Sequence, residues 1–238
     1  MILVKYSALS EASELIGPCV GEDTIILSLL NGIDSEEILR ESFGEKRIPR
    51  SFIQGGAVKE GRNISFTSMG KIMYGYDGLS KEENRQNENI DALEEFFNRC
   101  GIPNRVSFDI VYEQWYKFMS NISMNIPSAI LLAPYGVFME NQRLVALVEE
   151  ICFEVIAVAN RCGVPLSCND VKRLISIFPG MQADGKSSTM QDVEAKRKTE
   201  VDMFCQTIVN LGKKHGVLTP YNRMMLDFVK IKEDMHGM

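Results

Sequence analysis

The sequence predicts an α/β segment followed by an all-helical one, with the seam near residue 108, so that 1–108 and 109–238 form separate domains. Three observations carry this expectation. Residues 1 to about 76 alternate short apolar runs with turns. Within them Thr24-Ile25-Ile26-Leu27-Ser28-Leu29-Leu30 is almost wholly apolar, the pattern of a strand buried on both faces. From Asp109 onward the apolar residues recur at helical spacing.

Taken in order, Ile2–Val4 reads as a strand and Ser7–Val20 as a helix with Leu9, Ala12, Leu15 and Ile16 on one face. Gly21-Glu22-Asp23 turns the chain into the strand 24–30. A helix then starts at Asp34, a candidate cap with Glu37 three residues on. Strands are expected near 51–58 and 64–76, separated by the turn Lys59-Glu60-Gly61-Arg62-Asn63. Ile90–Cys100 is helical with Leu93, Phe96 and Phe97 inward, and Gly101 and Pro103 end it. Helices follow at about 109–125, 128–139, 141–162, 168–177 and 189–214, with a last one from about 220; 178–188 is a loop.

Composition narrows the class. With 45% hydrophobic and 24% charged residues, the 238-residue chain is globular rather than disordered. A net charge of −6 argues against a nucleic-acid binder, which needs a basic face. No apolar run approaches the roughly 18–20 residues of a membrane span, and the first residues have no signal-peptide pattern. Six cysteines without a Cys-x-x-Cys pair suit reduced, packed thiols in the cytoplasm. With His215 and His236 the only histidines, a zinc site has little to draw on.

Three features could carry chemistry. Lys117, Asn121 and Asn125 are spaced four and four, which keeps them along one helix face. Such a stripe lines a polar cleft or forms a solvated face, and periodicity alone favours the second. Ser188, with Gln191 three residues later, reads as a capping box whose free amides could instead meet a carboxylate ligand; Glu200 lies further along. Asn31-Gly32-Ile33 ends a predicted buried strand, where ligands bind in open α/β sheets, although Asn-Gly is also an ordinary turn.

Together these residues carry a resemblance. Leu29-Leu30-Asn31-Gly32-Ile33, Trp115-Tyr116-Lys117 with Asn121 and Asn125, and Ser187-Ser188-Thr189-Met190-Gln191-Asp192 leading to Thr199-Glu200-Val201-Asp202 stand in the order typical of ketopantoate reductases. Lys5, placed 26 positions before Asn31, and Gly216–Asn222 leading to Lys232-Glu233 fit as well. The resemblance runs from residue 1 to about 233. It implies a Rossmann-type sheet followed by a helical domain of the 6-phosphogluconate dehydrogenase C-terminal-like type. It also implies NADPH-dependent reduction of 2-dehydropantoate to pantoate, on the route to pantothenate. By the resemblance Lys117 is the general acid and Glu200 orients the substrate. Asn121 and Asn125 hold its hydroxyl end, Ser188 its carboxylate, and Asn31 bridges nicotinamide ribose and substrate. Lys5 and Ala57 fall where the family touches the cofactor.

The sequence departs from the family in lacking the Gly-x-Gly-x-x-Gly turn that receives the pyrophosphate. Its first residue corresponds to a middle strand, so the first βαβ units, about 30 residues each, are expected to be missing. Thr189 also replaces a usual apolar residue. Weak or absent NADPH affinity of the chain alone follows as an expectation, and so does self-association, as a homodimer or otherwise, through an uncovered edge at 24–30 or its neighbour. The alternative is a non-catalytic relative that binds a small acid or oligomerises.

Overall fold

A computed structural model describes residues 1–56, 58–60, 62–66 and 69–237. The chain divides into two units, Met1–Gln114 and Trp115–Met238.

In the first unit residues 26–30 of the apolar run are buried. Leu27 and Leu29 pack with Ile72, Tyr74, Ile90, Leu93 and Phe97, whereas Ile26 and Leu30 pack with Ile2, Leu9, Leu39 and Ile48. Alternate residues thus enter different clusters, the period-two pattern of a strand with two covered faces. Its parallel ladder with 2–4, also read as a strand, is a single bridge, Ile2 to Ser28. Ile2 N–H donates to Leu27 O at 2.8 Å and Leu29 N–H to Ile2 O at 3.1 Å. The ladder stops because the first segment leaves it at Lys5 for a 3₁₀ turn, Tyr6–Ala8, and helix α1, Leu9–Ile16. On α1 Leu15 is 78% exposed and Ser13 is buried. At about 100° per residue, position 13 lies over Leu9 and position 15 does not.

The sheet has strand order β1-β4-β5, with β1 Arg50–Gln54, β4 Lys71–Gly75 and β5 Asn104–Val106. β1 pairs antiparallel with β4 and β5 parallel to it. Strands β2, Val58–Glu60, and β3, Asn63–Ser65, form a separate hairpin. Each long strand expected at 51–58 and 64–76 is therefore divided. The division falls where Gly55 crosses Gly70 so closely that a Cβ on Gly55 would lie 2.6 Å from Gly70 Cα. Helix α2, Ser35–Phe43, starts after Asp34, but the Asp34 side chain does not cap it; Asp34 Oδ2 accepts from Tyr6 Oη at 2.7 Å. Helix α3, Lys81–Arg85, was not anticipated, although Ser80 and Glu83 form a capping box. Helix α4, Glu88–Arg99, buries Ile90, Leu93 and Phe97 but leaves Phe96 half exposed.

Helix α5, Ile110–Leu131, crosses the division between the units. It runs through Pro127, where a break was expected; Ile122, Ile126 and Ala129 around it are fully buried, and packing holds the helix across the missing hydrogen bond. The second unit continues with α6 Tyr135–Glu140, α7 Gln142–Arg161, α8 Cys168–Ser176, α9 Ser188–Glu194, α10 Thr207–His215 and α11 Pro220–His236. Its core joins Phe118 and Ile122 of α5, Ile151 and Val155 of α7, Phe204 and Ile208 beside and within α10, and Val229 of α11. Among the described residues no helix is long and apolar enough to cross a membrane.

Candidate functional site

The Lys-Asn-Asn stripe of α5 is not a solvated face. Lys117 and Asn121 are partly buried and Asn125 is 9% exposed. They are flanked by buried Phe118, Ile122 and Ile126. Burial strips water from the Lys117 ammonium and lowers its pKa from an ordinary 10.5 to about 8; the nearby Glu200 carboxylate opposes that shift. The fold thus brings an ammonium and a carboxylate far apart in sequence within electrostatic reach.

The start of α9 packs on the same helix. Ser187, not Ser188, is its cap: Ser187 Oγ accepts from Met190 N–H at 3.1 Å. Ser187 is fully buried and meets Ser128 Oγ at 3.2 Å and Asn125 O at 3.4 Å. The cap goes to the serine that can also satisfy its hydroxyl inside the core. Ser188 becomes the first helical residue, exposed beside the Asn125 turn, and Gln191 Nε2 reaches Lys186 O rather than closing a capping box.

The helix expected over 189–214 is broken. After α9 the chain turns at Lys196, whose φ is 52°, and Asp192 holds the turn through Arg197. Glu200 lies on a bend before a π-turn, Asp202–Gln206, that leads into α10. π-turns recur at functional sites because the extra residue shifts the side chains around it. The segment 199–202 is fixed by side chains of α11: Glu233 accepts from Thr199, and Lys230 Nζ donates to Asp202 Oδ2 at 2.7 Å.

In the first unit, Lys5 and Asn31 follow the one parallel bridge. Each lies three residues beyond the Ile2–Ser28 bridge, at the carboxyl ends of adjacent segments. Gly32 follows with φ 100°, which suits glycine. Ala57 lies outside the described residues. Of the two segments named as an uncovered edge, 26–30 is buried, whereas Leu3 and Val4 of its neighbour are exposed.

Sequence reasoning missed a dense polar network next to Asn31. Arg50 Nε donates to Asp77 Oδ2 at 2.9 Å, and its Nη1 donates to Ile33 O at 3.2 Å and Gln114 Oε1 at 3.1 Å. Arg50 also pairs with Glu37, and Arg40 Nη1 donates to Asp77 at 2.9 Å. Glu36, fully buried, accepts from Ser51 N–H, Gln114 Nε2 and Ser35 Oγ at 3.0–3.1 Å. Burial would raise the Asp77 carboxyl, but the Arg40 hydrogen bond and the Arg50 charge outweigh it and lower it to about 2. The available signal was an arginine set among Ile48, Pro49, Phe52 and Ile53. A groove of about 450 Å³ lined by Val209, Lys213, Thr219 and Arg223 contains none of the expected residues.

The first unit thus carries polar residues after its parallel bridge, and the second a desolvated ammonium with a carboxylate in electrostatic reach; the comparisons make the chain one of a class of oxidoreductases. Comparison with known proteins gives the family. Residues 1–78 match the family described as Ketopantoate reductase PanE/ApbA, and residues 109–233 match Ketopantoate reductase PanE/ApbA C terminal. The chain belongs to the ketopantoate reductase family. It is similar to a 2-dehydropantoate 2-reductase of Aquifex aeolicus (strain VF5), 30% identical over 240 residues covering 98% of this chain and 76% of the relative. A crystal structure of 2-dehydropantoate 2-reductase from Geobacter metallireducens GS-15 superposes with TM-score 0.84 at 27% identity, covering 95% of this chain and 74% of that one. A complex of D-mandelate dehydrogenase with NADH superposes with TM-score 0.87 at 25% identity, covering 98% and 78%.

Proposed function

We propose that this chain reduces 2-dehydropantoate to pantoate, or a related 2-keto acid to its 2-hydroxy acid, with NADPH. The observation that carries this reading is the desolvated Lys117 ammonium, near 8, with Glu200 beside it. The relatives named 2-dehydropantoate 2-reductase support the substrate class. The dehydrogenase solved with NADH supports a nicotinamide cofactor.

The residues present fit the nicotinamide end of such a cofactor. Lys5 and Asn31 offer an ammonium and an amide at neighbouring segment ends, and Gly32 allows close backbone approach. When bound, the cofactor supplies the hydride. Lys117 Nζ gives its proton to the substrate's carbonyl oxygen, and before that its charge stabilises the developing alkoxide. A value near 8 suits a proton donor, because the ammonium is charged at neutral pH yet releases its proton more readily than an ordinary lysine. Glu200 accepts a hydrogen bond from the substrate and orients it. Asn121 and Asn125 hold the hydroxyl end, and Ser188, exposed at the start of α9, takes the carboxylate.

A panel of 2-keto acids with NADPH tests the reading. Lys117→Ala is expected to lower kcat/KM by about 10²–10⁴ while leaving whatever NADPH affinity the chain has, read by fluorescence titration, unchanged. The wild-type rate is expected to fall as pH rises through about 8. Absence of NADPH binding and of turnover on every 2-keto acid would leave the alternative, a relative that binds a small acid without reducing it. A cytoplasmic protein that self-associates through the outer segment bearing Leu3 and Val4 belongs to the same reading. A strictly monomeric species in sedimentation would remove that part.

A further inference from the structure

We infer that Glu233 is a positioning residue of the reaction site: its buried carboxylate clamps Thr199 and so fixes the strap 199–202 with the Glu200 carboxylate beside Lys117. The inference rests on reading Lys117 and Glu200 as the reaction pair.

Regular structure supports the strap only from its C-terminal side. Glu200 sits on a bend between the Lys196 turn and the π-turn; its carbonyl accepts from Phe204 N–H at 3.1 Å, but no helical ladder reaches it from the Lys196 side. What holds the Thr199 side comes from α11. Glu233 is 4% exposed. Its Oε1 accepts from Thr199 N–H at 2.8 Å and from Thr199 Oγ1 at 2.6 Å. Its Oε2 accepts from Lys230 Nζ at 3.2 Å, and the same ammonium reaches Asp202 Oδ2 at 2.7 Å. Thr199 Oγ1 in turn accepts from Val201 N–H at 3.3 Å. Residues on both sides of Glu200 are thus tied to one carboxylate on another helix.

Burying a carboxylate is costly unless hydrogen bonds and a counter-charge compensate it. Here the compensation comes from Lys230 and from the strap itself, so the carboxylate is satisfied only while the strap is in place. An apolar residue at 233 could fill the volume but could not fix the backbone at Thr199. Charge-assisted bonds of this kind are also directional. They set where Glu200 points and not only how tightly α11 packs.

The test reads the titration of Lys117 in the full chain, by competitive acetylation against pH followed by mass spectrometry of the Lys117 peptide. Glu200→Gln is expected to lower the midpoint, by about one unit, because the Glu200 charge is what raises it. Glu233→Ala and Thr199→Val should lower it in the same direction. Glu233→Gln, whose amide oxygen still accepts from Thr199, should lower it less. Glu233→Ala should add nothing in the Glu200→Gln background. An unchanged midpoint in a folded Glu233→Ala chain, or an additive shift in the double variant, would overturn the inference. Should Glu233→Ala fail to fold, Thr199→Val, which removes one hydroxyl, decides by the same criterion. A midpoint that Glu200→Gln itself leaves unmoved would sink the reaction pair, and the clamp with it. A shift there without one on altering residue 233 or 199 overturns the clamp alone.

Discussion

The two units each bury charge, and they do it differently. In the first, Arg50 and Arg40 meet Asp77 and Glu37 and hold Asp77 below its ordinary range, while Glu36 accepts from a backbone amide, a hydroxyl and an amide side chain although burial still pushes its carboxyl up. In the second, the Lys117 ammonium is desolvated more than Glu200 compensates, so its proton is loosened. A saturated network spends its charges on holding three segments together: the loop after Asn31, β1 and the first turn of α5. An under-compensated ammonium stores reactivity instead. Burial of a charge therefore does not by itself mark a reaction site, since Glu36 is buried and pushed up within a network that holds segments together.

The sharpest way to break this comparison is Arg50→Ala. It leaves Asp77 with Arg40 alone and takes the donor from Ile33 O and Gln114 Oε1, and is expected to destabilise the first unit by about 2–3 kcal/mol. Faster hydrogen exchange over 24–54, with Lys117 titrating as before, is the expected result; a shifted Lys117 midpoint would couple the two clusters.

Acid should also act on the first cluster. Asp77 titrates near 2 in the folded chain and near 3.8 when unfolded, so its stabilisation is complete above about pH 4 and is lost as pH falls through 2. About 1–2 kcal/mol of unfolding free energy is expected to go in that window, and Asp77→Asn should flatten the dependence. An equally steep acid limb in Asp77→Asn would contradict it.

The smallest effect lies at Lys117. Its folded value near 8 is below the ordinary 10.5, so the folded chain binds fewer protons between those values and its stability rises with pH there. Lys117→Met is expected to stabilise the second unit by about 1 kcal/mol at neutral pH and to abolish that rise. Urea unfolding monitored through Trp115, the one tryptophan, reads it. Destabilisation would mean that the lysine is structural.

Helices were legible where apolar spacing was strong, as in α4 and α7, because one buried face suffices to write the pattern. Individual directions were less so. Leu15 and Phe96 sit beside residues that took the inward place, and a local run of apolar residues does not say which of two neighbours the core will accept. β5 and α3 went unseen because three to five residues carry too little pattern. The break before Glu200 was hidden because 189–214 keeps helical spacing while its turn depends on Asp192 and Arg197, contacts that periodicity ignores.

The sequence by itself determined the order α/β then helical, the four-residue spacing of Lys117, Asn121 and Asn125, and the order of motifs that the ketopantoate reductase family shares. These are local or collinear properties. Only the tertiary structure decided that Lys117 loses its water, that Glu200 stands near it, that Ser187 rather than Ser188 caps α9, and that Glu233 pins the strap. Desolvation and charge at one atom are sums over neighbours from remote parts of the chain, and such sums exist only once the chain has packed.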